Sequence, residues 1–445
     1  MAEVRATDGE EPTRIAPPPP TRAAPAARRI EALDFVRGIA LLGILLINIT
    51  GLGLADAQVN PVNAGGAEGA NLLVWIVMQI GVEGTQRALF SMLFGASAIL
   101  LVSRLEAAGR GDAADIYMRR NLWLIGFGFV NAYALLWWGD ILYAYGIAGL
   151  ALFPFRKLSA RGLLAVGAFV LLLAALWNLH DSVQMLRKHD AAAEAQALLD
   201  AGNELSAQQE QAIYAWEDAR AGFKAPPENV AAVNERMQAG YWSAFERARQ
   251  INLVFQTWGT YRFFFDIFGM MLIGMGLYRA GVLTLERRTG LYVAMMAGGY
   301  AIGLTVNFLE TRWIIDHQFG ALAFAQANVS YDLGRLAMTI GHLGALLLFV
   351  RSGMLGFVRR AFAAVGRMAF TNYLMHSAIA LVLFVGLGWF GQLERHQLYY
   401  VVAGIWAFQI AFSMVWLRWF RFGPLEWLWR WLTYLKRPPL RREGA

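Results

Sequence analysis

The chain has 445 residues, of which 57% are hydrophobic and 16% are charged, and its formal net charge is +7. It contains no cysteine, which excludes disulfides, zinc–thiolate sites and iron–sulfur clusters. Apolar runs of about 18 residues or more recur along it, and runs of that length predict transmembrane helices rather than the short alternating strands of an outer-membrane barrel. The composition therefore predicts an all-α fold, a polytopic membrane helix bundle.

About ten apolar segments are predicted to span the membrane. They cover residues 31–53, 86–103, 121–138, 141–155, 162–179, 260–278, 290–309, 331–350, 362–385 and 398–418. The stretch 71–80 is too short to span and is predicted to lie at the interface. The spans divide into an N-terminal membrane bundle, residues 28–180, and a C-terminal one, residues 251–435.

The two ends of the chain and the connections between spans carry the orientation signal. Residues 1–27 are rich in Pro, Ala and Arg and are predicted to be a disordered tail, and residues 436–445 form a basic tail. Lys and Arg are concentrated in alternate connections, so the positive-inside rule predicts that both termini are cytoplasmic. The basic charge is thus a topology signal and not a nucleic-acid footprint.

Residues 181–250 interrupt the series of spans. They contain 11 acidic and 7 basic residues and follow a span that is predicted to run outward. The pattern predicts a small extracytoplasmic helical insert that is broken near Pro226-Pro227. A lid over a site and a passive spacer are both consistent with this composition.

Ionisable residues are costly inside spans, so each requires a partner. Four acid–base pairs have the i,i+3 or i,i+4 spacing of neighbours on one helix face: Asp34/Arg37, Glu83/Arg87, Arg262/Asp266 and Asp332/Arg335. Asp34/Arg37 is predicted to be a structural pair at the cytoplasmic end of the first span. Each pair could simply neutralise itself and fix helix packing.

The predicted depths of the remaining charges favour a common site. Near the outer face lie seven charged residues that we assign to substrate binding: Glu83, Arg87, Asp140, Arg262, Asp266, Asp332 and Arg335. Asn48 and His376 fall at a similar depth. Together these residues predict a polar cavity, and its arginines suit an anionic group such as phosphate or carboxylate. The predicted partners are membrane lipids and an anionic small molecule or acyl donor.

Sequence motifs limit the chemistry. The chain has no HExxH, no Walker loop and no GxSxG, so the sequence predicts no metal site, names no cofactor and gives no support for nucleotide hydrolysis. Only His342 and His376 lie within predicted spans. Residues 423–435 are rich in Trp and predict an amphipathic interfacial helix that carries Glu426 and Arg430.

Several motifs resemble a known family. The stretches "LDFVRGIALLGILLINI", "GRMAFTNYLMHS" and "FRFGPLEWLWRWLTY" are similar to those of the YeiB-like bacterial membrane proteins (domain of unknown function 418). That resemblance implies a multi-span inner-membrane protein, loosely associated with transport.

The first span also resembles that of membrane acyltransferases, which move an acyl group onto an acceptor with the help of a histidine. In one type of these enzymes the histidine would fall at Asn48, and in the other it would lie within residues 52–85, which contain none. Two functions stay open. One is an acyltransferase-like enzyme that modifies an envelope lipid or glycan, with Asn48 and His376 as catalytic residues. The other is a transporter or binding protein for an anionic solute or lipid.

Overall fold

A computed structural model describes residues 23–442 of the protein. Within these residues the regular secondary structure is helical, apart from one antiparallel bridge between Phe420 and Arg441. The all-α prediction is therefore confirmed. Of the tail predicted over residues 1–27, positions 1–22 lie outside the described residues, and the first helix begins at Ala23.

Seventeen α-helices follow one another along the described chain. The first six are α1 (Ala23–Gly53), α2 (Gly69–Gly81), α3 (Thr85–Ala107), α4 (Ala113–Phe129), α5 (Leu142–Leu152) and α6 (Ala160–Asp200). Next come α7 (Ala207–Phe223), α8 (Pro227–Gln238) and α9 (Tyr241–Val254). The last eight are α10 (Thr260–Arg279), α11 (Thr289–Asp316), α12 (Ala321–Ala327), α13 (Tyr331–Ser352), α14 (Gly356–Arg367), α15 (Ala369–Ala380), α16 (Arg395–Trp419) and α17 (Pro424–Tyr434).

Eight helical stretches within residues 23–442 are long and apolar enough to cross a membrane. They are Glu31–Gly53, Gly69–Ala107, Ala160–Asp200, Tyr241–Arg279, Thr289–Asp316, Tyr331–Ser352, Ala369–Gly386 and Arg395–Trp419. The chain is therefore a multi-pass membrane protein. The predicted segments 121–138 and 141–155 are not among the eight; α4 ends at Phe129 and passes into a π-helical turn at Val130–Ala134, and α5 has only 11 residues.

Two predicted segments have different bounds in the structure. Residues 71–80 belong to α2, which continues through a turn into α3, so this stretch is part of the bundle. The segment 362–385 is divided at Met368 into α14 and α15, and α14 packs along α1. Gly38 and Gly366 allow this approach, because a Cβ atom on either would overlap the backbone of the opposite helix.

Asp34 and Arg37 lie in α1, near the end that carries the basic connections, which we call the basic end. Arg37 Nη1 donates to Asp34 Oδ1 over 2.7 Å, and Nη2 donates to Ser97 Oγ over 2.8 Å. The pair therefore has the i,i+3 geometry of neighbours on one face, and it also joins α1 to α3.

The insert packs on the opposite end of the bundle, which we call the insert end. Helix α8 begins at Pro227, and its Val233 is buried in a cluster with Ile49 and Phe384. The side chain of Asn63 accepts a hydrogen bond from Ala225 N over 3.0 Å and donates to Phe223 O over 3.2 Å. The insert is thus attached to the bundle by both apolar and polar contacts.

Candidate functional site

A cavity of about 650 Å³ lies at the insert end, between the bundle and the insert. Its walls come from the end of α1, the connection that follows it, α2, the start of α3, and the α4–α5 turn. Helices α5, α6, α10, α11, α12, α13 and α16, residue Phe223 of the insert and Phe255 before α10 also contribute to them. The volume lies in the range of small-molecule sites, and the lining combines aromatic, apolar and charged side chains.

Four of the residues that the sequence assigns to the site line this cavity: Asn48, Glu83, Arg87 and Asp140. Asn48 comes from the last turns of α1, Glu83 from the turn after α2, Arg87 from the first turn of α3 and Asp140 from the α4–α5 turn. Residues that lie far apart in the sequence thus contribute to one wall.

The other four charged residues that the sequence assigns to the site do not line the cavity. They are Arg262, Asp266, Asp332 and Arg335, and they lie behind that wall in a charge network. Arg335 is only 3% exposed, and its guanidinium donates to both carboxylate oxygens of Asp266 over 2.6 and 2.8 Å. Arg335 also donates to Asp332 over 2.9 Å, and Arg87 lies 3.3 Å from Asp266. Because each charge has an opposite charge beside it, this network can hold α3, α10 and α13 together inside the membrane.

Arg262 lies near the rest of this network but binds different partners. Its guanidinium donates to Asp181 over 2.8 and 3.0 Å and to Asn178, both on α6. Asn178 in turn donates to Asp332 over 2.5 Å, which connects Arg262 to the network around Arg335.

Two of the four pairs inferred from helical spacing do not form. Arg262 pairs with Asp181 instead of Asp266, because Asp266 points toward Arg335. Glu83 and Arg87 are not on one helix, because the chain turns at Gly84 before α3 begins. Gly84 has φ +69°, and a Cβ atom there would overlap Arg335 and Tyr331, so glycine suits the turn for both conformational and steric reasons.

Several polar groups on the cavity wall lack protein partners. The carboxylate of Glu83 and the amide of Asn48 form no hydrogen bond or ion pair with the described residues. Arg87 Nε is buried and also has no acceptor. Polar groups inside proteins normally form hydrogen bonds. We therefore expect these three groups to bond to a ligand or to water.

Asp140 is held by its neighbours, although no described base forms an ion pair with it. Its oxygens accept hydrogen bonds from Asn131 Nδ2 over 2.8 Å and from Tyr143 N over 2.9 Å. Burial nevertheless raises the pKa of Asp140 from its ordinary value to about 7. A carboxyl group with this pKa exchanges a proton near neutral pH.

Arg395 also lines the cavity, and the sequence analysis missed it. It is 3% exposed and forms no ion pair with the described residues. Its guanidinium reaches only backbone carbonyls, those of Ala57, Pro61 and Gly66, over 3.3 to 3.5 Å. The available signal was its position, since Arg395 is the one Lys or Arg between Arg367 and Arg418 and directly precedes the predicted span 398–418.

His376 does not line the cavity, so the structure does not bring it to the wall that holds Asn48. It is buried on α15, and its Nε2 lies 2.9 Å from Gln409 Oε1, which identifies Nε2 as the donor. Nδ1 has no hydrogen-bond partner. His342 is likewise used internally, between Tyr300 and Gly81 O.

Comparison with known proteins places this chain among its relatives. A protein of Escherichia coli, "Uncharacterized protein YeiB", is 32% identical over 422 residues, which cover 90% of this chain and 95% of that protein. The model of the family "Protein of unknown function (DUF418)" matches residues 277–436. The chain belongs to the YeiB-like DUF418 family.

A Bacillus subtilis protein, "Uncharacterized protein YxaH", is 28% identical over 93% of this chain. No solved structure shows a significant match. The part of the chain that matches the DUF418 model contains Arg335 and Arg395, whereas Asn48, Glu83 and Asp140 precede it. The cavity is therefore assembled from both halves of a YeiB-like chain.

Proposed function

We propose that this YeiB-like protein binds an anionic ligand in the cavity at the insert end and acts as a membrane carrier or binding protein. The observation that carries the proposal is Arg395, a buried arginine that faces the cavity and forms no ion pair with the described residues. A buried charge is costly unless an opposite charge compensates it, and a phosphate or carboxylate group of a ligand would do so with bidentate geometry.

The other groups on the wall support a ligand that has hydrogen-bond donors as well as an anionic group. Glu83 and Glu310 present carboxylates that form no ion pair with the described residues, and Glu310 accepts a hydrogen bond from Ser330 over 2.6 Å. Carboxylates accept hydrogen bonds from hydroxyl or ammonium groups. A polyol phosphate or an amino-containing headgroup has both kinds of group, whereas a bare inorganic anion has only one.

An acyltransferase-like enzyme is the second candidate, and Asp140 is the observation that favours it. A carboxyl group whose pKa is about 7 is suited to general-base catalysis at neutral pH, and Asp140 lines the same cavity as Asn48. Asp140 would accept the proton of an acceptor hydroxyl while the hydroxyl oxygen bonds to the acyl carbon; the bond from that carbon to the donor's leaving group then breaks, and Asp140 returns the proton to the released group. The similarity of the first span to membrane acyltransferases supports this alternative as well.

The test is anion binding by the purified protein in lipid nanodiscs. Butyl phosphate should raise the midpoint of thermal unfolding of the wild type in a concentration-dependent way, which gives an apparent Kd. Arg395→Gln should weaken that binding about 30-fold or more, because it removes a buried charge contact. Arg395→Lys should keep part of the affinity.

Arg312→Gln is the matched control, since Arg312 is at the same end but is 66% exposed and pairs with Asp316. Wild-type affinity in Arg395→Gln would overturn the proposal. Turnover separates the two candidates: Asp140→Asn should abolish acyl transfer by an enzyme, but it should leave a carrier able to bind.

We further propose that the protein lies in the bacterial inner membrane with both termini in the cytoplasm and the insert outside. The alternation of basic connections supports this orientation. Helices α4 and α5 are consecutive, so the orientation is the same whether both cross the membrane or neither does. A fluorescent protein that folds only in the cytoplasm should fluoresce at the C-terminus and stay dark after insertion at Asn203, and the reverse pattern would contradict the orientation.

A further inference from the structure

A second cavity, of about 250 Å³, lies beside the first one and has different walls. Its lining is mainly aliphatic and aromatic, with contributions from Leu136, Met237, Ala380, Leu381 and Val385. The charged residues on its wall, Asp56 and Arg247, lie 3.4 Å from each other and so neutralise each other. This cavity therefore suits an apolar group.

The two cavities have a common wall. Six residues line both of them: Ala57, Gln58, Val59, Trp137, Trp138 and Phe255. The rings of Trp138 and Phe255 are 4.9 Å apart, and the side chain of Gln58 donates to Ile47 O over 3.0 Å. Polar lining thus changes to apolar lining across a partition in which three of the six residues are aromatic.

We infer that the ligand is an amphiphile, with its anionic headgroup in the larger cavity and its alkyl or acyl chain in the smaller one. This inference rests on the proposed function and adds the class of ligand to it. Arg395 and Arg87 would meet the headgroup, and the chain would pass Trp138 and Phe255 into the space beside Leu381. A soluble polar anion would leave the second cavity without an occupant.

The insert contributes to both compartments. Phe223 lines the larger cavity, whereas Met237, Arg247 and Ala248 line the smaller one. Gln238 Nε2 donates to Phe390 O over 2.6 Å, which holds the end of α8 against the rim of the smaller cavity. The insert therefore covers the headgroup and the chain together, as a site for one amphiphilic molecule requires.

The experiment measures the affinity of alkyl phosphates from butyl to dodecyl for the protein in nanodiscs, expressed against the free aqueous ligand. Each methylene that enters an apolar site should tighten binding about fourfold. The affinity of the wild type should increase with chain length until the chain fills the second cavity. Beyond that length the affinity should stay constant. Simple partition into lipid would continue to increase with chain length.

Leu381→Trp fills the smaller cavity and should end the gain at a shorter chain than in the wild type. Val382→Trp is the matched control, because Val382 is the next residue but is 58% exposed and does not line the cavity. Met237→Trp, on the insert, tests the same space from the opposite wall if Leu381→Trp fails to fold.

The outcomes distinguish this inference from the proposed function. If butyl phosphate does not bind to the wild type, the proposed function fails. If it binds but longer chains bind no better, or if Leu381→Trp and Met237→Trp leave the chain-length series unchanged, the amphiphile inference is overturned while the anion site stands. If the gain in affinity ends at a shorter chain in both variants, and Val382→Trp behaves like the wild type, the result supports the amphiphile inference.

Discussion

Two half-buried glutamates at opposite ends of the molecule have opposite environments. At the basic end, Glu426 on α17 accepts hydrogen bonds from Phe370 N and Thr371 N over 2.7 and 3.0 Å and from Thr371 Oγ1 over 2.6 Å. At the insert end, Glu83 faces the cavity and has no hydrogen bond from the described residues. The difference indicates that the first carboxylate stabilises the fold, by capping α15, and that the second is available to a ligand.

The arginines show the same contrast. Arg37, toward the basic end, is paired with Asp34 and Ser97, and Arg120 stacks its guanidinium 3.6 Å from the ring centre of Trp429. Arg395, at the insert end, has only distant carbonyl contacts. Arg37 and Arg120 thus have close side-chain partners, whereas the guanidinium of Arg395 forms no ion pair with the described residues.

The largest effect is expected at Arg335, which belongs to the insert end but forms ion pairs with Asp266 and Asp332. Arg335→Leu removes the main partner of Asp266 and leaves a buried charge, so it should destabilise the protein by about 3–5 kcal/mol. The readout is the yield and thermal midpoint of monodisperse protein. Arg312→Leu, at an exposed pair, should be near the wild type. A wild-type midpoint for Arg335→Leu would show that pairing does not separate structural from ligand-binding residues here.

The two glutamates test the comparison most directly. Glu426→Gln cannot satisfy all three donors in the same geometry and should cost about 1–3 kcal/mol of stability. Glu83→Gln breaks no hydrogen bond and should leave the thermal midpoint unchanged or slightly higher. Equal losses in the two variants would mean that Glu83 has a structural role.

Asp140 should make anion binding depend on pH. Because burial raises its pKa to about 7, the carboxyl is neutral below that pH and becomes negative above it. Sulfate, whose charge is constant in this range, should therefore bind less well as the pH rises through about 7, by up to about tenfold. The carboxyl is faced by Asn131, by Tyr143 N and by the hydroxyl of Tyr373. Asp140→Asn should flatten the profile, and an unchanged profile in that variant would assign the dependence to another group.

The smallest effect is expected for His376→Gln. His376 lies outside the cavity wall, and a glutamine can still donate to Gln409 Oε1, so the affinity for butyl phosphate should stay within about twofold of the wild type. If an enzyme used this imidazole as its base, turnover would fall by roughly two to four orders of magnitude. Such a loss of turnover in a variant that is expressed normally would support His376 as a catalytic residue.

Local signals in the sequence were sufficient for the features that depend on neighbouring residues. Apolar runs predicted the helical membrane bundle, the proline pair predicted the break before α8, and the three-residue spacing placed Asp34 beside Arg37. Each of these depends on contacts within one or two helical turns or on the bilayer, which acts on every residue of a span alike.

The partners of the remaining charges were decided by the tertiary structure. Asp266 binds Arg335 across 69 residues rather than Arg262 one turn away, and Asn48 and His376 lie in different surroundings although their predicted depths agree. Depth along a helix does not specify the face on which a residue lies, and a nearby acid in the sequence competes with acids from every packed helix. For the same reason the unpaired state of Arg395, on which the proposed function depends, could be recognised only after the helices were assembled.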